Sequence, residues 1–531
     1  MSNNKQSNSA LATLVTVFFF WGFIAASNGI FIPFCKKFFN LSQFQSQLID
    51  TAFYGAYFIG SYLLFLSTAL TKIDLLNKIG YKKGIIVGLF ISILGAALMI
   101  PAVDSGSFYF ILSAFFVIAL GFSLQQTSAQ PFAISLGDPS TGSHRLNLGG
   151  SVNSFGTTVG PLIVSIALFG SIKAGVSAEA DINQIKMLYM IVGGVFLLAA
   201  LIFIFSKKLP ASNFDEHVES SPKALMSLTS LTIALILIAS IGQTDIFSKL
   251  QLSAIALVVV LLVLFYSYNQ ASKNGEGWGA MKYPQLILGM LGIFTYVGVE
   301  VTIQSNLGAL LKTPEFGAYD ESKMSHFISL YWGSLMIGRW TAAISVFNLS
   351  KKIKQIMTVV VPFIAFGVII LVNNVRGNDM SDLYSYVICI AILIAGIFYG
   401  QDKPIKTLFT LSVLATIAMI IGIMTTGMIA TYALLAGGLF CSIMWPSIFS
   451  LGVAGLGKYT SEGSAFLIMM ILGGAIIPPL QGAIADTNIG IHNSYIVAVV
   501  CFVFLAWIAS QMKTVLKSQG LDFDTQIGGG H

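Results

Sequence analysis

The chain has 531 residues, of which 56% are hydrophobic and 9% are charged, and its mean hydropathy is +0.83. A soluble fold has too little interior to hide this much apolar surface, so the composition excludes a soluble protein. The formal net charge of +6 then reflects orientation in a lipid bilayer, and we expect no nucleic-acid partner. Apolar runs of about twenty residues, the length that crosses a bilayer as helix, recur along the chain. They predict an all-α polytopic membrane protein.

About sixteen segments are long and apolar enough to be membrane helices. They lie near residues 11–34, 48–71, 85–103, 108–136, 147–172, 187–206, 226–241, 252–268, 285–311, 325–348, 355–373, 385–400, 407–426, 428–456, 464–484 and 494–512. An even number of spans places both termini on one side. Most of the 28 Lys and Arg residues fall on the cytoplasmic side if the N-terminus is cytoplasmic. This predicts a bacterial inner-membrane protein with both termini in the cytoplasm.

The stretch Ser123–Pro161 is unusually polar for its apolar surroundings. Its amide and hydroxyl side chains include Gln125, Gln126, Gln130, Asn147, Asn153, Thr157 and Thr158. Burying an unpaired amide in hydrocarbon costs several kcal/mol, so these groups need partners or water. The stretch predicts two half-helices that line a polar cavity and are joined by a cytoplasmic turn.

A weak internal repeat relates the two halves of the chain. The segments are PFAISLG at 131–137 and PSIFSLG at 446–452. Each is followed by a polar turn, a further helix and a proline-containing pair, Gly160-Pro161 or Pro478-Pro479. Similar halves are typical of transporters, in which a site between repeats opens alternately to each side.

Several motifs together resemble those of one known family. They are FFFWGFIAASNGIFIPF, LSQFQSQLIDTAFYGAYFIGS, LNKIGYKKGIIVGL, the segment 126–137, RLNLGGSVNSFGTTVGP and YVGVEVTIQSNLGALL. As an ordered set that covers most of both halves, they resemble the fucose permease and glucose/galactose transporter family of the major facilitator superfamily. The resemblance implies two pseudo-symmetric six-helix bundles, a central sugar site and alternating access.

About four transmembrane helices look like additions to that family's usual twelve. They are the two runs within 226–268 and one pair within 355–426. The predicted organisation is an N-terminal bundle at 1–206, a linker with two extra helices at 207–284, a C-terminal bundle at 285–517 and a tail at 518–531.

The chain departs from the family's proton-coupled fucose pattern at two acidic positions. Where that pattern has Asn-Asp on the first helix, the chain has Asn28-Gly29. Where it has Glu-Thr-Ala-Ala-Asn-Pro on the fourth helix, the chain has the neutral segment 126–131. A Gln on the fifth helix is replaced by Gly150, while Asn153 is kept. The resemblance therefore does not extend to proton coupling through these acids, or to fucose as the substrate.

Asp50 and Glu300 are the acidic residues expected within or at the edge of core helices. A charge at membrane depth costs about 2.5–3.5 kcal/mol on insertion scales, so it usually faces a partner or water. Glu300 stands one helical turn from Gln304, and Asp50 shares a helical face with Tyr54 and Tyr57. A carboxylate among such oxygens can hold Na+, a hard cation, or carry a proton. Sodium is slightly preferred, because the family's usual acids are replaced by neutral residues.

Sugar recognition requires amides for the hydroxyl groups and an aromatic face for the ring. The candidate sugar-binding residues are Trp21, Asn28, Gln126, Gln130, Asn153, Tyr296, Gln304 and Trp445. A structural interpretation stays open for each: the amides can join helices, and the aromatic rings can simply pack. It also stays open for the acids, since Asp50 can face a helix dipole and Glu300 can pair with Lys or Arg.

Two cytoplasmic loops, LNKIGYKKG and GRWTAAISVFNLSKK, resemble the superfamily's gating loops. The resemblance implies that Gly80, Lys82, Lys83, Gly338 and Arg339 brace the closed cytoplasmic side, and we place Arg145 in the same layer. For the lysines, an ordinary role as positive-inside anchors is the alternative.

These observations predict a secondary active transporter that imports a glucose- or galactose-like hexose by cation symport. Proton-coupled transport of fucose or another sugar is the alternative, and a non-transporting sugar receptor is a third. The sequence shows no phosphate-binding loop or catalytic triad, and its cysteines and histidines are too scattered to form a metal cluster. We therefore expect neither an enzyme nor a cofactor. The expected partners are a small-molecule sugar, a monovalent cation, Na+ or H+, and the bilayer, with the protein acting as a monomer.

Overall fold

The computed structural model describes residues 9–24, 35, 38–40, 43–169, 183–210, 217–242, 246–319, 324–347 and 349–521. The helices of the first part of the chain are α1 (Ser9–Ile24), α2 (Gln43–Thr71), α3 (Leu75–Ile79), α4 (Tyr81–Asp104), α5 (Phe108–Ser135), α6 (Gly142–Phe169) and α7 (Asn183–Phe205). Two further helices, α8 (Pro222–Ile241) and α9 (Lys249–Lys273), pack against each other as a hairpin. We call it the inserted hairpin because it lies in the region predicted to be an addition, which stays a prediction.

The remaining part of the chain is also helical. It contains α10 (Pro284–Leu311), α11 (Ser325–Ala343), α12 (Lys351–Val375), α13 (Val387–Gly400), α14 (Pro404–Met424), α15 (Gly427–Cys441), α16 (Met444–Gly452), α17 (Thr460–Met469), α18 (Gly473–Ala485), α19 (Gly490–Asn493) and α20 (Ile496–Ser518).

Every predicted membrane segment coincides with helix in the described residues. Thirteen of these helical stretches are long and apolar enough to cross a membrane. The helix α1 is shorter, and α6 and α11 are not among the thirteen. The prediction of an all-α, multi-pass membrane protein is confirmed.

Two predicted single helices are in fact interrupted. The segment 428–456 breaks between α15 and α16, just before Pro446, which has no N–H to bond the carbonyl of Ser442. The segment 464–484 breaks at the 3-10 turn Met470–Leu472. At the next residue, Gly473, a side chain would collide with the Phe294 carbonyl of α10.

The described residues form two compact units, each assembled from separate stretches of the chain. The first unit draws on Met1–Gly60, Ile79–Ser212 and Glu321–Ile390, and the second unit on Ser61–Lys78, Asn213–Asp320 and Ala391–His531. The predicted domain limits instead follow chain order, and they stay a prediction.

Glycines bring helices of the first unit into close contact. A Cβ atom at Gly95 of α4 would lie 2.5 Å from the backbone nitrogen of Ile118 in α5. One at Gly156 of α6 would collide with the carbonyl oxygen of Phe19 in α1. Small residues allow such approach between membrane helices, where dispersion contacts and hydrogen bonds hold helices together. The side chains of α1, α4 and α5 that carry polar groups are thereby brought within hydrogen-bonding distance.

The helix α10 is the centre of the second unit. Of its most apolar window, 89% is buried inside the protein, the highest share among the described spans. It packs against α16, α18 and α20. At Gly289, a Cβ atom would lie 3.1 Å from the Cα atom of Gly452 in α16, so the two backbones nearly touch. This packing fixes the position of the polar side chains that α10 carries.

Candidate functional site

Gln125 of α5 is the hub of a buried hydrogen-bond network in the first unit. The indole Nε1 of Trp21 donates to Gln125 Oε1 at 3.0 Å, and Gln125 Nε2 donates to Ser92 Oγ at 3.0 Å. Gln125 is fully buried and Trp21 is 3% exposed. The network joins α1, α4 and α5, and it occupies the one donor that the predicted sugar platform Trp21 possesses.

The predicted sugar ligands Gln126 and Gln130 lie one turn apart on α5. Gln126 is half-buried, and its Nε2 donates to the hydroxyl of Tyr57 at 2.9 Å. Gln130 is 4% exposed, and its Oε1 has no hydrogen-bond partner among the described residues. A buried acceptor without a partner is the kind of group that a ligand hydroxyl or a water satisfies.

Asn153 of α6 faces α1. Its Nδ2 donates to the carbonyl oxygen of Phe18 at 3.1 Å. This is the helix-joining bond that was the structural alternative for the amides, while the sugar-binding role of Asn153 stays a prediction. The two roles are compatible, because the amide also has an acceptor oxygen.

Three predicted residues come together in the second unit. The hydroxyl of Tyr296 donates to Glu300 Oε1 at 2.6 Å, one turn further along α10. The ring of Trp445, at the start of α16, lies 6.1 Å from that of Tyr296 and is tilted by 59°. Tyr296 is buried, whereas Glu300 and Trp445 are half-buried. The cluster combines a carboxylate, a phenol and a half-open indole face.

The other predicted binding residues are less fully described. Gln304 is half-buried, one turn beyond Glu300 on α10. Asn28 lies outside the described residues, and so does the side chain of Asp50, whose backbone belongs to α2. In the described part of the chain, no group of three or more His, Cys, Asp or Glu residues is placed to hold a metal ion.

Arg145 of α6 clamps the end of α5. Its Nε donates to the Ala133 carbonyl at 2.7 Å, and its Nη2 donates to the carbonyls of Ile134 at 2.6 Å and Asp138 at 2.7 Å. Its Nη1 donates to Thr141 Oγ1 at 2.8 Å. The guanidinium thus satisfies carbonyls that the end of α5 leaves open, which explains how a charged side chain can be 7% exposed.

The predicted gating residues after α2 lie at the start of α4. Gly80 has φ of 82°, a conformation that favours glycine, and it directly precedes α4. The Nζ of Lys82 donates to the carbonyl of Ser206 at 2.8 Å, beyond the end of α7, and Lys83 is exposed. Lys82 therefore stabilises a helix end inside the first unit.

Arg339 of α11 lies against α6. Its Nη1 donates to Ser154 Oγ at 3.0 Å, and its Cδ lies 3.1 Å from the position a Cβ atom would take at Gly150. The glycine at 150 thus leaves the space that the Arg339 side chain fills. Gly338 is buried in the same helix. The gating role of both residues stays a prediction.

Sequence reasoning missed two buried acids, Asp74 and Glu462. Both are in the second unit and are 2% and 3% exposed. Both lie in polar stretches between apolar segments, where an acidic residue is ordinary, so no local pattern singles them out. Gln125 was noted in the polar stretch but was left out of the predicted site, although both its amide oxygen and its amide nitrogen are bonded to other helices.

Comparison with known proteins identifies the family. No protein-family model matches the chain. The chain is 32% identical over 507 residues to the glucose/galactose transporter of Brucella abortus biovar 1 (strain 9-941), covering 95% of this chain and 94% of that protein. It is 27% identical over 505 residues to the L-fucose-proton symporter of Escherichia coli (strain K12), covering 92% and 90%.

A solved structure confirms the predicted fold. The crystal structure of FucP, a major facilitator superfamily transporter, in the outward conformation superposes with a TM-score of 0.66 at 23% identity. The match covers 96% of this chain and 99% of that chain. On the identity and coverage of its relatives, the chain belongs to the fucose permease and glucose/galactose transporter family of the major facilitator superfamily.

Proposed function

We propose that the protein is a secondary active transporter that imports a glucose- or galactose-like hexose by cation symport. Its relatives are named as a glucose/galactose transporter and an L-fucose-proton symporter, which supports sugar transport by a permease and not catalysis by an enzyme. The single observation that carries the coupling proposal is the Tyr296–Glu300 pair beside Trp445. A membrane-depth carboxylate with a phenol donor and a neighbouring indole combines a cation site with a sugar-packing surface.

We assign sugar recognition to amides and aromatic rings within each unit. In the first unit, Gln130 has an open acceptor and Gln126 is half-buried. In the second unit, the half-buried Trp445 offers a ring face, and Gln304 follows Glu300 by one turn. A site of polar groups that meet the sugar hydroxyls discriminates strongly, because a sugar lacking one hydroxyl leaves a buried group unpaired.

Sodium is the proposed coupling ion, bound at Glu300 or Asp50. The reason is that neutral residues replace the acids at which the family's fucose pattern couples to protons. A proton is the second candidate, which the relative named as a proton symporter favours. The protein would act as a monomer in a bacterial inner membrane with cytoplasmic termini.

The test is uptake of labelled glucose and galactose into proteoliposomes under an imposed inward sodium or proton gradient. Sodium-driven accumulation that Glu300→Gln abolishes would support the proposal, and Glu315→Gln is the matched control, because Glu315 is an exposed acid just beyond the same helix. Accumulation driven only by protons would reject sodium and assign the proton to Glu300. Specific sugar binding without any uptake would favour a receptor instead.

A further inference from the structure

The inserted hairpin α8–α9 is bonded to the turn between α2 and α3. Before α8, His217 forms an antiparallel bridge with Ile73, and the N–H of Val218 donates to the carbonyl of Lys72 at 3.2 Å. Where the chain leaves the hairpin, the carbonyl of Gly277 accepts from the N–H of Lys223 at 2.9 Å. The segment that leaves the hairpin is therefore bonded to the first turn of α8, and the segment that enters the hairpin is bonded to the turn after α2.

The segment that leaves the hairpin is also bonded to a buried acid of α17. The N–H of Ala280 donates to Glu462 Oε1 at 3.1 Å. The preceding residue, Gly279, has φ of +53°, and a Cβ atom there would lie 2.5 Å from the same oxygen. Glu462 is 3% exposed. This segment thus approaches the carboxylate closely, and the positive φ at 279 favours glycine there.

The turn after α2 and the start of α17 are bonded directly as well. Asp74 Oδ1 accepts from Ser461 Oγ at 2.9 Å, and Asn77 Nδ2 donates to the carbonyl of Lys458 at 2.8 Å. Further along the two helices, the rings of Phe65 and Phe466 meet edge to face at 4.7 Å. The α2–α3 turn, the segments that flank the hairpin and the start of α17 therefore form one connected layer.

The rim of this layer carries weaker contacts. Glu219, which is exposed, lies 3.6 Å from the Nζ of Lys282 and 3.8 Å from the Nζ of Lys458. Exposed ion pairs of this kind contribute little stability. The buried contacts, above all that of Glu462, therefore determine whether the layer holds together.

We propose that the inserted hairpin is a clamp that holds the α2–α3 turn against α17, and that Glu462 is the positioning residue that fastens it. The layer lies on the side predicted to be cytoplasmic, so the clamp favours the state in which that side is closed. Opening requires the Ala280–Glu462 bond to break. Weakening this bond shifts the population towards the cytoplasm-open state without touching a sugar ligand. The inference rests on the proposed function only in assuming alternating access.

The experiment measures how fast a buried cysteine reacts. In a background with the four native cysteines replaced by alanine, Thr68→Cys places a thiol one turn after Phe65, where the native side chain is 3% exposed. We expect Glu462→Ala to raise the rate of maleimide labelling at this position about five- to tenfold, the effect of losing one buried hydrogen bond. Glu462→Gln keeps an acceptor for the Ala280 N–H, so it is expected to restore a rate near that of the parent.

Gly279→Ala provides a second route that leaves the acid in place. It has the same expected effect, and Gly106→Ala is its control, because Gly106 has a similar φ of +64° and no atom within 4 Å of its Cβ position. In the Glu462→Ala background, Gly279→Ala should add less than it does in the parent, since the clashing carboxylate oxygen is gone and only the contact with Ser221 Cβ at 2.9 Å remains. Equal labelling of Gly279→Ala and Gly106→Ala, or failure of Glu462→Gln to restore the rate, would overturn the clamp. The assay needs no sugar, so a wrong substrate would not affect it.

Discussion

The two units bury different kinds of polar side chain. Among the described residues, the first unit buries amides, hydroxyls, Arg145 and His326 but no Asp or Glu. The second unit buries Asp74 and Glu462 and half-buries Glu300. In the first unit, the donors of Gln125 and Arg145 are used within the protein. The first unit therefore buries no acid in its described part, whereas the second carries ionisable acids.

This difference separates two tasks of a symporter. An amide has one protonation state, so its hydrogen bonds stay the same when ions come and go. A carboxylate at membrane depth is costly when charged and cheap when a cation or proton neutralises it. Conformational change that depends on an ion is therefore expected from the second unit, and rigid presentation of neutral groups from the first.

The largest effect is expected for Glu300→Gln. The variant cannot change charge, so the sugar and ion lose their coupling free energy, and accumulation should fall to an inside-to-outside ratio of about 1. Exchange of labelled for unlabelled sugar across the membrane should persist, because no ion gradient is needed for it. Uptake under an ion gradient measures accumulation, and counterflow in the same proteoliposomes measures exchange. Loss of both activities would mean that Glu300 holds the structure or the sugar and not the ion.

Arg145→Ala tests whether the first unit depends on internal hydrogen bonding. Each charge-assisted bond contributes about 1.5–3 kcal/mol, so removing the guanidinium should lower the free energy of unfolding by about 3 kcal/mol or more. Arg145→Lys should recover only part of this, because an ammonium lacks the planar fork that reaches several carbonyls. The exposed Lys83→Ala is the control, and thermal unfolding in detergent is the measurement. If Arg145→Ala were as stable as Lys83→Ala, the hydrogen bonds from Arg145 to the end of α5 would be dispensable for stability.

A smaller effect should distinguish two adjacent glutamines. Gln125→Leu leaves the indole N–H of Trp21 without its acceptor, which costs about 1–3 kcal/mol of stability. Gln126→Leu loses one bond to Tyr57 from a half-buried side chain, so it should change the KM for sugar more than the unfolding temperature. Thermal unfolding and uptake kinetics on both variants decide this. If Gln126→Leu lowered the unfolding temperature more than Gln125→Leu did, the proposal that Gln125 stabilises the fold and Gln126 binds the sugar would be contradicted.

The helices were largely predictable from the sequence. Crossing a bilayer requires about twenty apolar residues whatever the neighbours are, so segment length alone located the spans. The length criterion missed the break between α15 and α16, which Pro446 marks in the sequence. The polar character of α5 and α6 was also readable, because amides are conspicuous in an apolar chain.

The roles of individual side chains were not predictable in the same way. Gln125 and Gln126 are adjacent, yet helical geometry points them about 100° apart, and only the packing of α1 and α4 decides which is enclosed. The gating role that its motif predicts for Arg339 stays a prediction, and the motif did not reveal that the side chain fills the space beside Gly150. Such contacts join residues far apart in the chain, and no local pattern encodes them.

The smallest effect is a difference in pH dependence between two acids outside the spans. Burial raises the pKa of Asp74, which favours its protonated form in the folded protein, so its contribution to stability is present at low pH and is lost as pH rises through the raised value. Hydrogen bonds from Ser140 lower the pKa of the exposed Asp138, so its contribution is present above the ordinary Asp value and is lost as pH falls.

In the parent, the contribution of Asp74 to the unfolding temperature should decline as pH rises, and Asp74→Asn should remove that contribution. The contribution of Asp138 should decline as pH falls, and Asp138→Asn should remove it. Both are measured by thermal unfolding across the acidic range, each against the parent. Because the two substitutions are chemically identical, opposite slopes can arise only from the surroundings. Slopes of the same sign would mean that the buried acid of the second unit behaves like the exposed acid of the first, and the contrast between the units would not hold at this side chain.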